Sequence, residues 1–197
     1  MYTGTEHFSA NGNEINISIT DFWRWAYSDL SNNINRSVLA EYIVASALSN
    51  AGLKTDSYRI MWQAYDLFCE NLNPCKEGCR IEVKSAAYVQ SWDCKHPDHI
   101  SFRIAPARLP DKDGDYKDDA PLQRNCDIYV FCVYKAMTKD ESPLNLDLWS
   151  FYVLSTDILN EKKPTQKSIT LPSLLQLEPK QCNYNGIGDT IKNMMNA

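Results

Sequence analysis

Two almost unbroken β-prone runs constrain this chain more than any other stretch. Residues 127–134 read Asp-Ile-Tyr-Val-Phe-Cys-Val-Tyr, and residues 149–154 read Trp-Ser-Phe-Tyr-Val-Leu. Successive side chains of a strand point to opposite faces, so a strand with one wet face alternates apolar with polar residues. Runs that are apolar at nearly every position belong to strands covered on both faces. The sequence therefore predicts central strands with one layer packed above them and another below.

The rest of the chain supplies those layers. Residues 1–17 are polar and rich in Gly and Asn, an arm or a short strand. Residues 21–30 predict a first helix, N-capped by Thr20 or Asp21, with Phe22, Trp25, Ala26 and Leu30 along one side. Residues 35–51 predict a second, closed by Gly52 just past its end. Val38, Tyr42, Ala45 and Leu48 trace its buried stripe, and Glu41 falls on or beside that stripe, where an acid is unusual. A glutamate at such a boundary can also simply reach out to water.

Strands are expected over residues 56–62, 65–69, 80–85 and 100–104, with a charged, Asp-rich loop over 109–125. Short helices near 156–160, 173–177 and 188–195 end the chain. Helices first, then a block of strands, then short helices predict an α/β (α+β) domain, a mixed central β-sheet flanked by helices in three layers. With 197 residues, no internal repeat and no long linker, one domain is expected over 1–197. Its core spans about 35–135, and a C-terminal strand and short helices occupy 145–197.

Composition narrows the function classes. A net charge of −5 and a pI near 5.2 argue against a chain coated in basic residues, although a nucleic-acid enzyme needs only a local basic groove. Arg36, Arg59, Arg80, Arg103, Arg108 and Arg124 are the candidate phosphate contacts. No apolar run approaches the ~18 residues that span a bilayer, and the first residues carry no export signal. Seven cysteines do not close into a disulfide framework, so a reducing cytoplasm is the expected compartment and no membrane partner is expected.

The chemistry concentrates at Cys79-Arg80-Ile81-Glu82-Val83-Lys84-Ser85. On a strand Glu82 and Lys84 project together while Ile81 and Val83 turn to the core. Acid-x-Lys tripeptides occur five times in the chain, at Asp93, Asp115, Glu161, Glu178 and Glu82, where composition alone gives roughly one or two. Four of the five fall in loops or beside proline. Only Glu82-Val83-Lys84 lies in an apolar–polar alternation, preceded by another β-prone run bearing an acid, Asp66.

Glu41 on a leading helix, Asp66 on a strand and Glu82-Val83-Lys84 on the next one resemble the PD-(D/E)xK nuclease superfamily. Gln90, six residues past the lysine, is similar to the glutamine some branches carry, and Tyr65 stands where the nominal motif has proline. The resemblance spans about residues 35–135. It implies a restriction-endonuclease-like fold and a metal-dependent DNA endonuclease, a restriction-type enzyme being one form of it, using Mg²⁺ with Mn²⁺ as substitute. Asp66, Glu82 and the Val83 carbonyl would hold the ion, since a hard cation takes oxygen ligands. Lys84 would orient or deprotonate the attacking water and stabilise the transition state. Glu41 would hold a metal-bound water or a second ion, and Gln90 would bond that water or the DNA backbone. DNA is the implied partner, and a homodimer the implied assembly. The alternative is a catalytically inactive nucleic-acid-binding or assembly module on the same fold, with Glu82–Lys84 a surface ion pair.

Other clusters rank lower. Cys69, Cys75, Cys79, Cys94, His96 and His99 could supply four ligands for a structural Zn²⁺, but their spacing is not the tight Cys-x2-Cys knuckle. Asp111, Asp113 and Asp115 lack the glycine and glutamate of a calcium loop. No Gly-rich phosphate loop and no Gly-x-Ser-x-Gly elbow occurs.

Overall fold

The computed structural model describes residues 1–60, 63–70, 72, 78–90, 99–108 and 119–196. In chain order the elements are β1 (His7–Ala10), β2 (Asn13–Ser18), α1 (Ile19–Tyr27), α2 (Asn33–Asn50), β3 (Leu67–Glu70), β4 (Gly78–Ala87), β5 (Ser101–Arg103), β6 (Ile128–Tyr134), β7 (Trp149–Ser155), α3 (Thr156–Lys162), β8 (Ser168–Thr170), α4 (Leu171–Leu175), β9 (Lys180–Cys182) and α5 (Ile187–Met195). The central sheet is five-stranded and mixed, in the order β3-β4-β6-β7-β9. Its β4 and β6 run parallel, and every other neighbouring pair is antiparallel.

Each sheet face carries its own apolar cluster, as the two both-sided runs require. On one face α2 and α5 cover Ile81, Val83, Ile128 and Val130, using Val44, Leu48, Ile187 and Ile191. On the other a two-stranded ribbon, β5 with β8, joins α3 and α4 over Tyr129, Phe131 and Leu154, through Phe102, Leu159, Ile169 and Leu174. The α+β class and the three layers are as the sequence indicates, with the second covering layer part ribbon and part short helix. Among the described residues no helix is long and apolar enough to cross a membrane.

Local chemistry sets the boundaries. The cap of α1 is Ser18, not Thr20 or Asp21: its hydroxyl accepts from the Asp21 amide and Asp21 returns a bond to the Ser18 amide. At the end of α2, Gly52 has φ +75°, and the Leu53 amide reaches back to Leu48 O at 3.0 Å, the left-handed closure that favours glycine. The buried stripe of α2 is rotated from the sequence expectation. It runs through Arg36, Ala40, Ile43, Val44, Ala47 and Leu48, whereas Tyr42 is 70% exposed.

Two further differences concern strands. Residues 56–60 form no strand, and β3 starts at Leu67, so Asp66 stands one residue before it. The N-terminal arm is a β1–β2 hairpin closed by Asn11 and Gly12, both with positive φ. Asn-Gly is the strongest short-range hairpin signal, because both central residues of the turn need left-handed φ. That signal was available in the sequence.

Candidate functional site

The strand end at β3 creates the site. Antiparallel pairing of β3 with β4 runs from Glu70↔Gly78 to Leu67↔Ile81. The Asp66 amide then donates to Ile81 O at 3.1 Å, and there the ladder stops. The next inward-facing amide of β4, Val83 N–H, is taken by the Asp66 side chain, whose Oδ2 accepts at 2.8 Å. A residue's N–H and C=O point to the same side of a strand, so the Val83 carbonyl faces the same edge beyond the last pair. Asp66 is thereby fixed in the plane of the sheet against the Glu82-Val83-Lys84 backbone.

Glu82 and Lys84 project to the face that carries Tyr129 and Phe131, their parallel register partners on β6. They form an ion pair with each other, both about three-quarters buried. Burial pushes the Glu82 carboxyl up from its ordinary range, and the charges of Asp66 and, least, Glu41 push the same way, against the pull of Lys84. For Lys84, burial works to lower the ammonium, but the Glu82 and Asp66 charges outweigh it and hold its pKa above the usual lysine value. Lys84 is therefore a firm cation at neutral pH.

Glu41 approaches from α2, on the opposite sheet face. It is buried rather than reaching to water, and both its oxygens are held by Arg59, one by Nη2 at 2.9 Å and the other by Nε. The bond to Glu41 raises the Arg59 guanidinium further, with a contribution from Asp66. Arg59 was only one of six candidate arginines in the sequence, and nothing local in its surroundings announces it: its partner lies eighteen residues away on a helix. A cleft of about 580 Å³ opens here, lined by Glu41, Arg59 and Asp66, with Tyr42 and Tyr58 among its other walls. Glu82 and Lys84 do not line it; they connect to it through Asp66.

Of the six expected site residues, Asp66 and Val83 are bonded to each other at the end of β3, Glu41 approaches from the α2 face, and Glu82 and Lys84 pair on the opposite face. Gln90 is engaged elsewhere. Its Oε1 accepts from Arg36 Nη2 at 3.1 Å and its Nε2 donates to Ala87 O at 2.9 Å, which ties the end of β4 to the start of α2. Two candidate phosphate contacts are likewise structural. Arg36 is buried beneath Ser31, Asn33 and Gln90. Arg124 is buried and donates to Ile104 O, Asn160, Lys163 O and Gln166 O. Arg80 pairs with Asp127.

The donor set is all oxygen, which fits a hard divalent ion such as Mg²⁺ in chemistry. Among the described residues, however, no three His, Cys, Asp or Glu side chains converge on one ion position. Arg59 and Lys84 hold two of the three carboxylates instead. Of the cysteine–histidine cluster, Cys69 and Cys79 are buried partners across β3 and β4, whereas Cys75, Cys94 and His96 lie outside the described residues, as do Asp111, Asp113 and Asp115.

No protein-family model matches this chain, and no curated protein matches it. Among solved structures, a bacterial homing endonuclease, I-Ssp6803I, is similar at a TM-score of 0.39 and 13% identity, over 68% of this chain and 74% of that one.

Proposed function

We propose that this chain is a metal-dependent DNA endonuclease of the PD-(D/E)xK type, hydrolysing phosphodiesters at the edge where β3 ends beside β4. The observation that carries the reading is the hydrogen bond that the Val83 amide donates to Asp66 Oδ2. It locks an acid just ahead of one strand against the acid-x-Lys triplet of its neighbour, a juxtaposition that suits metal-assisted hydrolysis.

Asp66, Glu82 and the Val83 carbonyl would hold Mg²⁺, and Glu41 a bound water or second ion. The ion would supply Lewis-acid polarisation of the phosphate and an ionisable water. Lys84 contributes as a cation. Held protonated by Glu82 and Asp66, it stabilises the charge that develops on the phosphoryl oxygens and orients the water, and it becomes a base only when those acids are neutralised. Arg59 is the natural contact for the incoming phosphate: Glu41 takes its Nε and one Nη2 hydrogen, and the second edge of the guanidinium, Nη1 with Nη2, has the fork geometry that suits a phosphate. Tyr42 and Tyr58, 70% and 52% exposed at the cleft, offer aromatic faces on which an unstacked base can rest.

A second reading, a nucleic-acid-binding module without catalysis, is favoured by one observation: Glu41 and Glu82 already carry protein cations. Plasmid nicking with Mg²⁺ or Mn²⁺, wild type beside Lys84→Ala, separates the two. The endonuclease reading expects metal-dependent nicking that falls ~100- to 1,000-fold in the variant. No nicking of any DNA, methylated or not, favours the binding module. A Lys84→Ala protein as active as wild type removes Lys84 from the mechanism.

A further inference from the structure

The first 27 residues are built as an element that something must cover. The hairpin exposes apolar side chains: Phe8, Ile15 and Ile17 are open to solvent beside the register shift between His7 and Ser9, while Ser9 and Glu14 pair across the strands. Every residue of β1 is exposed, and all of β2 except its last. Helix α1 has no buried residue, although Phe22, Trp23 and Tyr27 flank Ile19 and Ala26 on one broad side, with Trp25 at its edge. Asp21 and Arg24 lie on the opposite side and pair with each other.

An isolated two-stranded hairpin is marginal in water, and so is an isolated nine-residue helix. Their folding together, with a capping box and an Asn-Gly turn, is best stabilised by a partner on the apolar face.

The amount of uncovered surface is that of an interface. Trp25 is 85% exposed, Tyr27 49%, and Phe8, Phe22 and Trp23 between 37% and 44%. At ~200 Å² per aromatic side chain these leave roughly 500 Å² open, and the two isoleucines bring the total to roughly 650 Å². Monomers keep their largest apolar patch to ~300–600 Å², and a standard interface takes ~800 Å² from each partner, rim included.

Charge and distribution identify the occupant. Residues 1–30 carry four acids, Glu6, Glu14, Asp21 and Asp29, against one fixed base, Arg24. That balance repels a phosphate backbone or an anionic membrane. The face itself is uncharged, which fits an apolar protein surface. Nine of the sixteen large apolar side chains exposed among the described residues lie in these 27 positions. Among the described residues the one concentrated exposed apolar surface is thus the arm itself, and its match in an isologous pair is the same arm on a second copy. We propose that this chain self-associates through its N-terminal hairpin and α1, apolar face to apolar face.

The proposal is independent of the nuclease reading, because its test reads mass and not cleavage. Sedimentation velocity of the full chain from ~1 to ~100 μM should show a dimer. Trp25→Glu combined with Phe22→Asp, and separately Ile15→Asp combined with Ile17→Asp, should each give a monomer with an unchanged thermal midpoint of the body. Leu144→Asp, an equally exposed apolar position outside the arm, should leave the dimer intact. Wild-type tryptophan emission should shift to the blue with rising concentration as Trp23 and Trp25 leave water. A wild type that stays monomeric at ~100 μM overturns the proposal, and so does a dimer that survives both double substitutions.

Discussion

Strands β4 and β6 are parallel neighbours in one sheet, paired residue for residue from Ile81↔Ile128 to Ala87↔Tyr134, yet they are used differently. All seven residues of β6 are buried, and its side chains feed the two cores in strict alternation. On β4 the α2-facing positions Ile81 and Val83 do the same, but Glu82 and Lys84 stand where β6 has Tyr129 and Phe131. Of these two central strands, the charged one is the strand whose outer neighbour stops short. Beyond Leu67, β3 no longer covers β4, and the freed edge is closed by the Asp66 carboxylate instead of by a backbone. A strand flanked on both sides by full ladders, as β6 is, has no such opening.

That contrast can be broken experimentally, beginning with its largest expected effect. Phe131→Ala, on the strand with no opening, should cost about 3–5 kcal/mol of stability by denaturant unfolding, because Phe131 is fully buried against Phe102 and Tyr129. A loss below about 1 kcal/mol would mean that β6 is not the core strand.

On β4, Lys84→Met should cost about 1–3 kcal/mol near neutral pH, since Glu82 keeps its burial and loses its partner. Adding Glu82→Gln should restore most of that loss. A pair that can be replaced together but not singly is the signature of a half-buried ion pair. Additive single effects would show instead that the two side chains act apart.

Ser85, the α2-side neighbour of Lys84, provides a smaller test. Its Oγ is buried without a hydrogen-bond partner in this structure, opposite Cys132 of β6. Ser85→Ala should stabilise the fold by about 0.5–1 kcal/mol, making β4 more like its neighbour. Any measurable destabilisation would mean that the hydroxyl has a bonding role.

The pH dependence sharpens the comparison most gently. Because Glu82 has a folded pKa above its ordinary value of 4.5, the folded state holds its proton at pH values where the unfolded chain has lost it. Its contribution to stability is therefore full below about 4.5 and is lost as pH rises through the raised value. Glu82→Gln should flatten that slope, and carboxylate carbon NMR should locate the Glu82 midpoint above that of an exposed glutamate. A midpoint at or below 4.5 would contradict the burial that shifts it. Phe131→Ala changes no titrating group and should leave the slope unaltered.

Much of this molecule was legible before any fold was known, and the misses have physical causes. The runs 127–134 and 149–154 returned as β6 and β7 because covering on both faces leaves an unmistakable apolar record. The stripe of α2 was misjudged for the opposite reason. Tyr42 counts as apolar in any pattern yet faces the cleft, whereas Arg36 and Glu41 count as polar yet are buried, because each brings its own bonding partners. A periodicity sees the residue and not its partner. The hairpin was readable from Asn11-Gly12, but not the fact that the apolar side chains of the arm stay exposed in the fold.

For the site, the sequence by itself determined that Glu82 and Lys84 share a face, since that follows from the two-residue period of a strand. It also determined that an acid-bearing segment precedes them. Only the tertiary structure decided that β3 begins one residue after Asp66. That late start leaves the Val83 amide for a side chain to claim. Periodicity is local and survives in sequence; the end of a strand pairing is set by where two distant segments stop touching, and no local pattern records it.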